Sequence, residues 1–255
     1  MKAYTAFSFL ALAFCCAAAV EADTFGSGTN TFEIEFVTIG NPGNSADTTG
    51  SPNPAGSVPY EYRIGKFEIS EDVIDKANTL GGLGLTYISR GADKPPIYID
   101  WFEAAKFVNW LNGSTPAYKF VSGNFQLWQP GDAGYDPNNL YRNSLAKYVL
   151  PSMDEWYKAA YYDPSGVYYD YPTGSDTAPT PVVSGTTAGT AVYGQFSAPD
   201  REPDRARVVT FQHLDDPVRR LRVHARSHTV GVTIVTVLDQ AQEPGAGRIV
   251  GPVFA

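Results

Sequence analysis

The amino-acid alphabet of this chain changes near residue 196, and any fold has to be built around that break. All 16 tyrosines lie at or before Tyr193, the four tryptophans are Trp101, Trp110, Trp128 and Trp156, and every lysine lies at or before Lys158. The three histidines (His213, His224, His228) and eight of the eleven arginines follow the break. Residues 1–198 carry 11 bases against 20 acids, whereas residues 199–255 carry eight against seven. One folded domain rarely switches its basic and aromatic alphabet so sharply. Three readings of residues 196–255 fit the break: a linker or flexible extension, a second small element, or a coding frame that shifts near Gln195–Phe196.

The other end is a targeting segment. Lys2 precedes an apolar, Leu/Phe/Ala-rich stretch from Ala6 to Val20, and Val20-Glu21-Ala22 offers branched or small residues at the −3 and −1 positions of a cleavage site. This reads as a secretory signal peptide, residues 1–22, cut after Ala22. The protein is then expected to be secreted, periplasmic or at the cell surface. The alternatives are a retained anchor, which lacks stop-transfer charges, and a lipoprotein through Cys15 or Cys16, which Phe14 and Cys15 suit poorly. No other apolar run approaches the ~20 residues of a membrane span.

Cys15 and Cys16 are the only cysteines. The chain after Ala22 therefore has no disulfide, no thiol nucleophile and no thiolate metal ligand. A net charge of −8 argues against a nucleic-acid partner, which needs a basic footprint. A hydrophobic share of 43% excludes a wholly disordered chain.

Residues 23–31 are Gly/Thr/Ser-rich and read as a flexible lead-in. Phe32-Glu33-Ile34-Glu35-Phe36 alternates apolar and polar residues and continues through Ile39, which predicts a half-buried strand. Gly40–Ser57 is a loop. Tyr60, Tyr62 and Ile64, then Phe67 and Ile69, predict a second strand pair. Three helices have readable starts. Ser70 caps one that begins with Glu71 and Asp72 and ends before Gly81-Gly82. Asp100 and Glu103 form an acidic capping box, with Trp101, Ala104, Ala105, Val108 and Leu111 as the apolar stripe and Asn112-Gly113 as the stop. Ser152 and Glu155 form another box after Pro151, with a stripe of Trp156, Ala159 and Ala160, and Asp163-Pro164-Ser165-Gly166 closes it. Everything else reads as loop or short strand: residues 114–139 show no sustained periodicity, and residues 173–194 are Thr/Ala/Pro/Gly-rich and mostly irregular. The body is α+β and rich in loop.

No catalytic, cofactor-binding or metal-ligating residue is assigned. The acids at the helix starts sit at capping spacing, so capping outweighs acid/base work. His224 and His228, four apart, lack the Glu of a zincin and run into Val230–Leu238, which reads as a strand. Arg219, Arg220, Arg222 and Arg226 read as a solvated face. Asn112-Gly113-Ser114 fits a glycosylation sequon, but a helix C-cap explains it already. Tyr157, Tyr161, Tyr162, Tyr168, Tyr169 and Tyr171 crowd one region; core packing is their default reading, and a sugar- or peptide-stacking surface is the alternative.

Four segments in order, with their spacing, resemble a known family. They are Val37-Thr38-Ile39-Gly40, the run Tyr62–Ser70 (YRIGKFEIS), the run Ile99–Leu111 (IDWFEAAKFVNWL) and the run Leu150–Trp156 (LPSMDEW). With the Tyr171-Pro172-Thr173-Gly174 turn, they resemble the sulfatase-modifying factor family of the formylglycine-generating type. The resemblance spans Phe32 to Gly194. Secreted bacterial members with segments like Gly40–Asn44 and Ala159–Pro164 look most similar. It implies a C-type-lectin-like α+β fold, here incomplete at the C-terminus. It also implies calcium ligands and a copper-binding cysteine pair in the C-terminal half, and those motifs are not found here. Residues 196–255 hold no Trp, no Cys and neither Trp-containing family motif, and Val149 replaces the Arg usual before Leu-Pro. The expectation is a secreted binding or structural module without oxidase activity, taking a glycan or protein ligand and no cofactor. The alternative is a formylglycine-generating oxidoreductase whose catalytic half is lost or frame-shifted. The missing half should also leave parts of the Trp101 and Trp156 helices exposed.

Overall fold

A computed structural model describes residues 20–49, 53–182, 187–191 and 238–240. The strands are β1 (Val20–Phe25), β2 (Phe32–Ile39), β3 (Tyr62–Gly65), β4 (Lys119–Val121), β5 (Asn124–Gln126), β6 (Tyr148–Val149), β7 (Thr180–Pro181), β8 (Thr190–Ala191) and β9 (Leu238–Gln240). The helices are α1 (Glu71–Gly81), α2 (Trp101–Leu111) and α3 (Met153–Tyr161). The main sheet has five antiparallel strands in the order β1-β2-β3-β9-β6, and β4-β5 and β7-β8 form two small pairs. The architecture is α+β and loop-rich, as expected.

β2 falls where the alternation put it. Phe32, Ile34 and Phe36 are buried, while Glu33 on the other face is exposed. The helix caps are also as expected. Ser70 Oγ accepts from Val73 N, and both capping boxes are complete in each direction. α1 runs through Gly81, one residue beyond its expected end, and Gly82 caps it in a left-handed conformation, φ 59°. The core lies between the sheet and α1–α2. Tyr62 and Ile64 from β3, Val149 from β6, and Ile74, Phe107 and Val108 from the helices meet there. Phe107 belongs to this stripe although the five-residue spacing omitted it.

Three expectations need correction, and two regions expected to be loop or short strand hold short pairs. The segment 23–31 is not a flexible lead-in. Asp23, Thr24 and Phe25 are the second half of β1, Phe25 stacks on Phe32 at 5.6 Å between ring centroids, and Gly28–Asn30 is a single 3-10 turn. Its glycines serve the β1–β2 turn. A Cβ on Gly26, φ 80°, would stand 2.3 Å from Asn30 O. Of the expected second strand pair, only β3 is a strand among the described residues; Phe67 is a lone bridge residue, and Ile69 reaches the core from the loop ahead of α1. Residues 114–139 contain the β4-β5 hairpin. Ser122 and Gly123 both have positive φ (51° and 80°), the mark of a two-residue turn of the twist-matched kind. Within 173–194, residues 180–181 and 190–191 pair in parallel as β7 and β8. On α3 the buried face is Glu155, Tyr157, Lys158, Ala160 and Tyr161; Trp156 and Ala159 are only half-buried.

The tail after the compositional break contributes to the sheet. Leu238 pairs with Ile64 and Val149, and Asp239 with Arg63 and Tyr148, so β9 is flanked on both sides. Only Leu238 is shared with the expected strand Val230–Leu238; residues 230–237 lie outside the described residues, as do His224, His228 and the arginines 219–226. On the expected exposure of the helices, Trp101 and Trp156 are half-buried while Phe102 is 50% exposed.

Candidate functional site

The densest polar chemistry lies on the buried face of α3. The capping box places Glu155 in the first turn, and its carboxylate is 1% exposed. Glu155 Oε2 accepts from Ser152 N at 2.5 Å and from Arg142 Nη2 at 2.8 Å, while Oε1 accepts from Arg142 Nη1 at 2.9 Å and Tyr60 OH at 2.6 Å. The pair is a bidentate fork. Arg142 Nη2 also donates to Leu150 O at 2.5 Å, and the Tyr62 hydroxyl donates to Glu155 O. Burial disfavours the Glu155 charge, but Arg142 outweighs it, with help from Tyr60 and the Ser152 N–H, and holds the carboxyl below the usual range. Burial and then the neighbouring Glu155 carboxylate push the Tyr60 hydroxyl well above the phenol range. Val149 is buried in β6, and the cation on Glu155 comes from Arg142.

One turn along, Lys158 is 0% exposed. Its Nζ donates to Asn41 O at 3.0 Å and stands 5.9 Å and 5.8 Å from the ring centroids of Tyr62 and Tyr162. Burial pulls its pKa down to about 8, against a smaller upward pull from Glu61. Residues 40–49 and 53–58 of the preceding loop close over this face. Tyr157 OH donates to Asp47 Oδ2 at 2.6 Å, Asp154 Oδ1 accepts from Gly56 N at 2.8 Å, and Asn44 Nδ2 donates to Tyr168 OH at 2.7 Å. Gly56, φ 84°, is required there: a Cβ would meet Tyr168 OH at 2.5 Å.

The arrangement is structural in kind. Glu155 and Lys158 are out of contact with solvent, and each bonds a backbone or side-chain group of the fold. Of the six crowded tyrosines, Tyr157 and Tyr161 are buried and the other four are half-buried. Tyr157 and Tyr161 lie 4.7 Å apart, and Tyr162 and Tyr168 lie 4.9 Å apart. This matches the core-packing reading. The sequon residue is equally committed. Asn112 Nδ2 donates to Val108 O and Tyr148 O (2.9 and 2.7 Å), and its Oδ1 accepts from Lys147 N and Tyr148 N (both 2.9 Å). Gly113 follows in the left-handed region, φ 60°.

Sequence reasoning missed a different aromatic surface. Trp101 lies 5.4 Å from Phe102, 5.1 Å from Tyr118 and 5.0 Å from Phe125, all edge-on, and Phe125 is parallel to Tyr141 at 6.5 Å. Phe102 is 50% exposed, and Trp101, Phe125 and Tyr141 are half-buried. The signal for it was the Trp101-Phe102 pair at the start of α2, where only one of two adjacent helical positions can face the core.

Among the described residues, no group of three or more His, Cys, Asp or Glu side chains is gathered for a metal ion, and no helix is long and apolar enough to cross a membrane. Comparison of the chain with protein-family models, with curated proteins and with solved structures finds no match.

Proposed function

We propose that this chain is a secreted, non-catalytic binding module of the sulfatase-modifying-factor type, with a C-type-lectin-like fold. The observation that supports it most is the absence of cysteine outside Cys15-Cys16 in the leader. The family's oxidase chemistry needs a copper-binding thiolate pair, and Glu155, Asp154 and Lys158 of α3 are engaged in capping and loop anchoring. The aromatic surface of Trp101, Phe102, Phe125 and Tyr141 is the face for a ligand, and a glycan is the ligand class we favour. The test has two arms. Incubation with a cysteine-containing sulfatase peptide and copper should yield no formylglycine; turnover overturns the non-catalytic reading. A glycan array should give a signal that Phe102→Ala weakens; silence at high protein concentration overturns the glycan.

The compositional break favours a second reading: a formylglycine-generating oxidoreductase whose catalytic half is lost or frame-shifted here. Translating the locus in all three frames beyond codon 195 decides it. Recovery of Trp-rich family motifs in another frame moves the function to the restored half.

A further inference from the structure

We propose that the leader is removed after Ala19 rather than after Ala22, so that Val20 is the mature N-terminus. The inference rests on the secretory reading above and adds its cleavage site. Its ground is the way β1 is built. Val20, Glu21 and Ala22 pair with Val37, Phe36 and Glu35, so a cut after Ala22 removes half of a six-residue strand. It would leave the β2 edge unpaired along the stretch that carries the fully buried Phe36.

The charges point the same way. Arg63 Nη1 meets Glu21 Oε2 at 3.0 Å and Arg63 Nη2 meets Asp23 Oδ2 at 2.8 Å; Lys147 Nζ lies 3.1 Å from the same Asp23 oxygen, which also accepts from Tyr148 OH at 2.8 Å. Among the described residues, two cations thus face two carboxylates. A cut after Ala22 deletes the Glu21 carboxylate that meets Arg63 and creates an ammonium on Asp23 itself. An α-amino group titrates near pH 8 and is mostly charged at neutral pH. A cut after Ala19 keeps both carboxylates and puts the new ammonium at the start of the strand.

The sequence supplies the site. Ala17-Ala18-Ala19 has Ala at both −3 and −1, the small-x-small form that leader peptidases accept, whereas the later site has the branched Val20 at −3.

The experiment is expression of the full chain in a secreting bacterium, with the N-terminus and intact mass of the exported protein determined. Val20 at the N-terminus is expected. Asp23 there overturns the site while leaving secretion intact, and an uncleaved Met1 overturns both. Two variants check the assignment. Ala19→Leu should lose processing and accumulate as precursor, whereas Ala22→Leu should be processed at the wild-type rate to a product shifted only by the substitution. The reverse pattern overturns the proposal.

Discussion

Arg142 and Glu155 form the most deeply buried ion pair described, and the value of such a pair shows when it is broken. Removing one partner strands a charge out of water, which costs about 3–5 kcal/mol, while removing both costs less than the two losses added. Glu155→Gln and Arg142→Met should each lower the unfolding free energy measured in urea by that amount, and the double variant should fall short of additivity. Small, additive losses would mean the pair is already solvated. Lys158 gives a pH-dependent test. Its pKa is about 8 folded against 10.5 unfolded, so between those values the unfolded chain holds the extra proton and stability rises with pH. Below about pH 8 both states are charged and the burial penalty is fully present. Tyr60, Tyr62 and Tyr157 keep their protons above the unfolded value of 10.0, so stability falls again beyond pH 10. Lys158→Met should abolish the rise between pH 8 and 10 and stabilise the protein at pH 7 by at most about 3 kcal/mol. An unchanged pH profile in thermal melts would contradict this.

At the scale of elements, Asn112 ties α2 to β6 with all of its side-chain hydrogen-bonding groups in use. Asn112→Ala strands the Lys147 and Tyr148 N–H groups and should cost about 2–3 kcal/mol. In a host that glycosylates secreted proteins, the wild-type mass should carry no glycan at Asn112; a glycosylated, fully folded protein would show that the tie is dispensable. The helices were legible in the sequence because their signals are local. A cap and its partner lie three residues apart at Asp100/Glu103 and Ser152/Glu155, and β2 is long enough for alternation to register. Strands β4 and β5 were not legible, since three residues carry no period, and the Ser122-Gly123 turn was their only mark. The buried face of α3 was not legible either. Whether Glu155 and Lys158 are buried depends on Arg142, Tyr60 and Asn41, and nothing in helical spacing announces partners 13, 95 and 117 residues away.

For the whole molecule, the decisive feature is that three residues beyond the compositional break lie inside the sheet. β3 carries Tyr62 and Ile64, and β6 carries Val149, all fully buried, and β9 is what joins the two strands. Without it both would present open edges beside the core, a template for pairing with other chains. The body and tail are therefore coupled through backbone bonding, and β9 is short. Pro in a strand flanked on both sides removes a ladder donor and leaves its acceptor unmet, at roughly 1–3 kcal/mol. Asp239→Pro should thus lower the urea midpoint and promote association at low denaturant, while Asp239→Ala, which keeps the backbone N–H, serves as the control. Light scattering beside the unfolding curve reads both effects. If Asp239→Pro matches the control in midpoint and scattering, the tail does not hold the sheet in solution, and residues 20–195 must close β3 against β6 by themselves.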